Sequence, residues 1–162
     1  PNEAAKMACD RHSIKMILES AQMLSTRLRQ HGYDESKHDD LDPRFEKWIY
    51  GITHAKHPST IWAGKTRANF DWLLEHALAL CREYTARYGK THLSITKCFL
   101  PLYRYPIGLP DGAFEQPPQC MPDEYKDNCS VKAYWNYYIG EKHTVAAKNE
   151  KIYEKIDMEA LQ

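Results

Sequence analysis

Apolar residues recur at three- and four-residue spacing from the start of the chain: Ala4, Ala8, Ile14, Ile17, Leu18, Ala21, Leu24 and Leu28. That period lines one face of a helix for burial. Asn2 can cap it, Glu3 suits the positive end of the dipole, and no Pro or Gly interrupts before Gly32, so the pattern predicts one long helix. The polar run HGYDESKHDDLDP reads as an exposed loop, and Asp42 before Pro43 opens a short helix carrying Phe45, Trp48 and Ile49. After GITHAKHPS, Ser59 or Thr60 caps a second long helix to about Tyr88, stopped by Gly89. Its buried face is Trp62, Phe70, Leu73, Leu74, Ala77, Leu80, Cys81 and Tyr84. A shorter helix follows from about Thr91 to Leu100 and ends at Pro101.

From Pro101 to Asn128 the chain carries six prolines and little periodicity, which predicts an irregular wrap over the surface. Ser130 caps a final aromatic helix, VKAYWNYYIGEK, and residues 145–161 have helical spacing with mixed charge. No alternating strand pattern of useful length occurs. The expectation is an all-α, compact single-domain bundle over residues 1–162, built on two long helices with shorter helices and a long Pro-rich segment.

Composition supports one core. The chain has 162 residues, 43% hydrophobic and 12% aromatic, which excludes a disordered tail protein. No apolar run approaches the roughly 18 residues of a membrane span, and no signal-peptide order is present, so a cytoplasmic location with no membrane partner is expected. Five cysteines, odd in number and irregularly spaced, fit reduced thiols, with Cys81 a small core residue. The net charge is zero, with 22 basic and 22 acidic residues, which argues against a strongly cationic nucleic-acid binder. The charge is nonetheless unevenly spread. Residues 1–30 sum to +2 and 60–107 to +4, against −3 for 31–50 and −4 for 108–130. A basic region therefore coincides with the two long helices.

The informative chemistry lies on the polar side of the first helix. At about 100° per residue, His12 and Glu19 fall within about 20° of each other, two turns apart, flanked by Lys15 and Gln22. A solvated face would have the same polar residues, but Met16 and Met23 interleave with them. An enclosed glutamate there can serve as general acid or base, or steady a developing cation. In THAKHPST, His54 and His57 precede a helix start, with Lys56, Lys65 and Arg67 nearby, an arrangement suited to a phosphate or carboxylate as well as to a plain capped loop. The spacing Cys9, His12, His54, His57 admits a zinc reading, but nothing else marks a zinc fold, and no metal is expected. No Gly-rich phosphate loop or nucleophile elbow occurs, and no cofactor is expected. Tyr134, Trp135, Tyr137 and Tyr138, followed by Gly140 and Lys142, cannot all face inward; one or two exposed rings beside a lysine would suit stacking on a base.

Together, CDRHSIKMILE, the aromatic central helix IWAGKTRANFDWLLEHALALCREYTARYGK and YWNYYIGEK resemble the phage endonuclease V type of pyrimidine-dimer DNA glycosylase. HPSTIW, RYGKTH and MPDEYK resemble a group of small phage proteins. In the glycosylase family a helical His is followed seven residues later by the catalytic Glu, matched here by His12 and Glu19. Its C-terminal aromatic cluster ending in Gly-Lys is matched by Trp135, Tyr137, Tyr138, Gly140 and Lys142, with Ile139 interrupting. The resemblance implies a helical fold without metal, binding to duplex DNA at a damaged or modified base, and a Schiff-base mechanism. There an N-terminal amine attacks C1′ while the Glu stabilises the developing charge. The chain departs from the family where Leu18 and Gln22 replace its flanking arginines, and where Pro1 takes the place of its Thr amine. Two other readings use the same residues: an enzyme acting on a small phosphorylated ligand through the stripe with His54 and His57, and a non-catalytic DNA- or protein-binding phage accessory protein.

Overall fold

A computed structural model describes residues 1–8, 10–37, 48–104 and 108–142. Helices α1 (Asn2–Met7), α2 (Asp10–Gln30), α3 (Pro58–Ala63), α4 (Arg67–Tyr88), α5 (Leu93–Lys97), α6 (Phe99–Arg104) and α7 (Ser130–Tyr137) are joined by turns and by a long irregular stretch over residues 108–122. Among the described residues there is no strand, and no helix is long and apolar enough to cross a membrane. The fold is all-α, as expected. The expected C-terminal helix over 145–161 and most of the short helix opening at Asp42 lie outside the described residues; Trp48 and Ile49 are buried in a bend.

The core forms where α2 packs on α4. Ile17, Ala21, Leu24 and Leu28 meet a buried face of Phe70, Leu73, Leu74, Ala77, Leu80 and Cys81, as the periodicity predicts. Ser13 and Ser20 are fully buried among them. Their small side chains occupy positions that a purely apolar reading gives to Ile14 and Leu18, which are instead 40% and 37% exposed. Ala5 is likewise buried in place of Ala4.

Each long helix of the sequence reading is two helices in the structure. The first breaks at Ala8, whose backbone is extended (ψ 129°). Arg87 of α4 donates to the carbonyls of Ala8 (2.8 Å) and Lys6 (3.1 Å), so a guanidinium satisfies acceptors that an unbroken helix would pair internally. No Gly or Pro announces this break, because its partner is 79 residues away. The second breaks between α3 and α4. His57, rather than Ser59 or Thr60, caps α3 through Nδ1, and Thr66 restarts the chain by accepting from the Asn69 amide at 3.1 Å. At the break the Arg27 side chain lies against Gly64, where any Cβ would collide with it, and Arg27 Nε donates to Thr60 O. Gly89 terminates α4 in the left-handed conformation (φ 65°), as expected. Pro101 does not end a helix but sits in the first turn of α6, where its missing N–H costs nothing. Ser130 does not cap α7; its hydroxyl donates to Pro117 O (2.8 Å).

That last bond belongs to the strap formed by residues 108–122. The buried side chain of Asn69 holds one end: Nδ2 donates to Trp62 O (3.0 Å) and Oδ1 accepts from the Glu115 amide (2.9 Å). Trp62 Nε1 returns a bond to Glu115 O (3.0 Å), Arg67 N donates to Pro110 O (2.8 Å), and Phe114 packs on Trp62 and Trp72. The other end holds α7. Gln116 accepts from Ser130 N (2.8 Å), and Tyr134 donates to Pro118 O (3.0 Å). The aromatic helix is thus attached to the bundle largely through the strap.

Asn69→Ala should therefore lower the unfolding free energy by about 2–3 kcal/mol, because it strands the buried Trp62 carbonyl and the half-buried Glu115 amide. Glu115→Gln, which removes only the exposed ion pair with Lys65 (2.7 Å), should cost under about 1 kcal/mol. Urea unfolding of the two variants measures both; equal losses would show that the Asn69 amide is not the anchor.

Candidate functional site on α2 and α7

His12, Lys15 and Glu19 lie along one side of α2. His12 is half-buried, and its Nδ1 shares a short hydrogen bond with the Tyr138 hydroxyl. The two rings meet edge to face with centroids 5.4 Å apart. Lys15 Nζ pairs with Glu19 Oε1 at 3.1 Å, with the side chains 70% and 36% exposed. Met16 packs against the core and Met23 is buried, so the methionines between these polar groups belong to the interior. Gln22 continues the line, half-buried.

Tyr138 reaches His12 because α7 ends in an uncommon way. Residues Tyr138–Lys142 form a single π-helical turn, and Gly140 lies so close to the Tyr125 ring that no side chain would fit. π-turns persist where tertiary contacts outweigh their poorer hydrogen bonding, often at functional sites. Tyr125 packs on Tyr137 at 5.4 Å, and Tyr134 is committed to the strap. Tyr134 packs on the strap, Tyr137 on Tyr125, and Tyr138 turns toward the α2 stripe; all three are half-buried, so none of them is the exposed ring beside a lysine that the sequence suggested. Trp135 is half-buried, and the Lys142 side chain lies outside the described residues.

The remaining candidates are not gathered here. Thr53, beside His54, is pinned to Thr26 near the far end of α2, with the Thr53 amide donating to Oγ1 at 3.0 Å and Oγ1 donating to Thr53 O at 2.8 Å. Thr26 is fourteen residues from His12, about 21 Å along the helix. His54 is held in the left-handed region (φ 51°) and His57 is used as a cap. Lys65 pairs with Glu115, and Arg67 with Asp71 at 2.8 Å, at the strap's anchor. Cys9 lies outside the described residues, and among those described no group of three His, Cys, Asp or Glu could hold a metal. A cavity of 330 Å³ between α1 and α4 is lined by Asn2, Lys6, Ala79, Arg82 and Glu83. None of the α2 stripe residues lines it.

Pro1 begins the segment that packs on α4. On α4, burial, helped to a lesser degree by the positive charge at Pro1, pushes the His76 pKa down to about 4 from 6.5. His76 also stacks on Trp72, with centroids 5.3 Å apart. Sequence reasoning passed over this histidine, because on the helical period it reads as one more position beside the apolar face.

The depressed value has a defined consequence. Folding favours neutral His76, so its stabilisation is complete above pH 6.5 and is lost as pH falls toward about 4. Between pH 7 and pH 5 the loss is about 2 kcal/mol, at ~1.4 kcal/mol per pKa unit. His92, lowered in the same direction by burial, adds to it. Urea unfolding at the two pH values should show a smaller loss in His76→Gln than in the parent. An unchanged difference would contradict the assignment.

Among known proteins the chain matches no family model, no curated protein and no solved structure, so its function rests on the chemistry of the site itself.

Proposed function

We propose that the chain is a DNA glycosylase/AP-lyase-type enzyme acting on a damaged or modified base in duplex DNA, with the α2 stripe as its reaction centre. The observation that carries this reading is the meeting of Tyr138 with His12, which joins the aromatic helix to the face bearing Glu19. A phenol ring at the edge of such a site is suited to stacking on a base. In this scheme an amine of the chain adds at C1′ of the sugar, the glycosidic bond breaks, and an iminium forms. The Glu19 carboxylate stabilises that cation and then accepts the C2′ proton, so that the C3′–O bond breaks by β-elimination. His12, bonded to Tyr138, is placed to hold or pass a proton at the edge of the stripe. Lys15 and Arg11 contribute positive charge for the phosphates on a helix whose region sums to +2. The amine has two candidates, the α-amine of Pro1 and Lys15 Nζ.

The small-phosphorylated-ligand reading requires His12 and the His54–His57 loop to face one ligand, and a separation of about 21 Å along α2 disfavours it. An accessory protein that only binds DNA through α7 would need no carboxylate.

Borohydride trapping on a duplex containing an abasic site tests the proposal. A covalent protein–DNA adduct and β-elimination product are expected, and Glu19→Gln should reduce the rate at least about 100-fold. DNA binding without an adduct, or a Glu19→Gln variant with full rate, would overturn it in favour of a binding protein.

A further inference from the structure

We infer that the amine of this reaction is Lys15 Nζ; the inference rests on the glycosylase/lyase reading and assigns its nucleophile. Lys15 Nζ stands 3.1 Å from Glu19 Oε1, and Lys15 is largely exposed, so an amine beside the proposed catalytic carboxylate is open to an incoming sugar. Pro1 is exposed as well, but it heads α1, whose main packing partner is α4. Lys15 also lies one turn from His12, so imidazole, amine and carboxylate follow each other at i, i+3 and i+7 along one line of α2, with the Tyr138 hydroxyl at its head.

The ion pair has little structural reason of its own. An exposed pair at i,i+4 contributes a few tenths of a kcal/mol, and Lys before Glu is the less favourable order against the helix dipole. As chemistry the order is immaterial and the separation is what counts. Glu19 takes a proton from the Lys15 ammonium, and the freed lone pair attacks C1′ of the abasic aldehyde to give a carbinolamine. Its hydroxyl leaves as water with the returned proton, forming the C=N bond of the iminium. Glu19 then removes the C2′ proton, the electron pair forms the C1′–C2′ enamine, and the C3′–O bond breaks with loss of the 3′ phosphate. Water hydrolyses the remaining imine and regenerates Lys15. No oxidant, reductant or metal enters. Because Lys15 is internal, the assignment is independent of what precedes Pro1.

The test is to trap the full chain on an abasic duplex with borohydride, digest the adduct and locate the modified residue by mass spectrometry. The expected site is Lys15. Lys15→Arg, which keeps the charge on an exposed position, should lower trapping at least about 100-fold while its affinity for an uncleavable abasic-analogue duplex stays within about threefold. An adduct at Pro1 or at another lysine, or undiminished trapping in Lys15→Arg, overturns the Lys15 assignment and leaves the glycosylase/lyase reading standing. Absence of any adduct with the parent chain overturns both.

Discussion

Much of this structure hangs on one buried amide. Asn69 faces inward from the first turn of α4 and spends its donor on Trp62 O and its acceptor on the Glu115 amide. A hydrophobic residue could fill the same space, but it could not tie the last turn of α3 to the strap. The Pro-rich strap has few periodic contacts of its own, and its backbone groups need partners wherever they are buried. Asn69 and Trp62 supply them at one end, and Gln116, Pro117 and Pro118 pass the connection to α7. Through that chain of hydrogen bonds a side chain on α4 governs where Tyr138 can go.

Polar anchors of this kind recur wherever the chain leaves helix. Glu35 accepts from the Trp48 and Ile49 amides and pairs with Arg29 at 3.0 Å; those bonds and that charge outweigh burial and hold its carboxyl below the ordinary range. Thr26 and Thr53 exchange two bonds, and Arg87 closes the end of α1. The apolar contact of α2 with α4 supplies the driving force, roughly 25 cal/mol per Å² of buried apolar surface. The polar anchors decide which of many compact arrangements that force selects.

The division explains what the sequence reveals. Helical periodicity is local, so Ile17, Ala21, Leu24 and Leu28, the face of α4 and the stop at Gly89 are all readable from spacing. The break at Ala8 is not, since it depends on Arg87, and Ser13 and Ser20 carry no apolar signal although both are buried. At the site, the i, i+7 relation of His12 and Glu19 follows from the helix alone. The docking of Tyr138 on His12 does not: it spans 126 residues and requires the strap, the π-turn and Gly140. His54 and His57 look like partners of the stripe in a linear reading, yet the Thr26–Thr53 bonds place their loop near the other end of α2. Their position before a helix start, read with Ser59 or Thr60 as its cap, showed neither that His57 is the cap nor how far the loop lies from the stripe.

The most direct test of the account is a pair of nuclear Overhauser spectra recorded on the parent chain and on Asn69→Ala, under conditions where the α2–α4 contacts persist in both. The parent should show cross-peaks between the His12 and Tyr138 rings, whose centroids lie 5.4 Å apart, and Asn69→Ala should lose them while keeping those between Leu24 and the α4 core. Cross-peaks absent from the parent, or surviving intact in Asn69→Ala, would contradict a strap-borne α7 that delivers Tyr138 to His12.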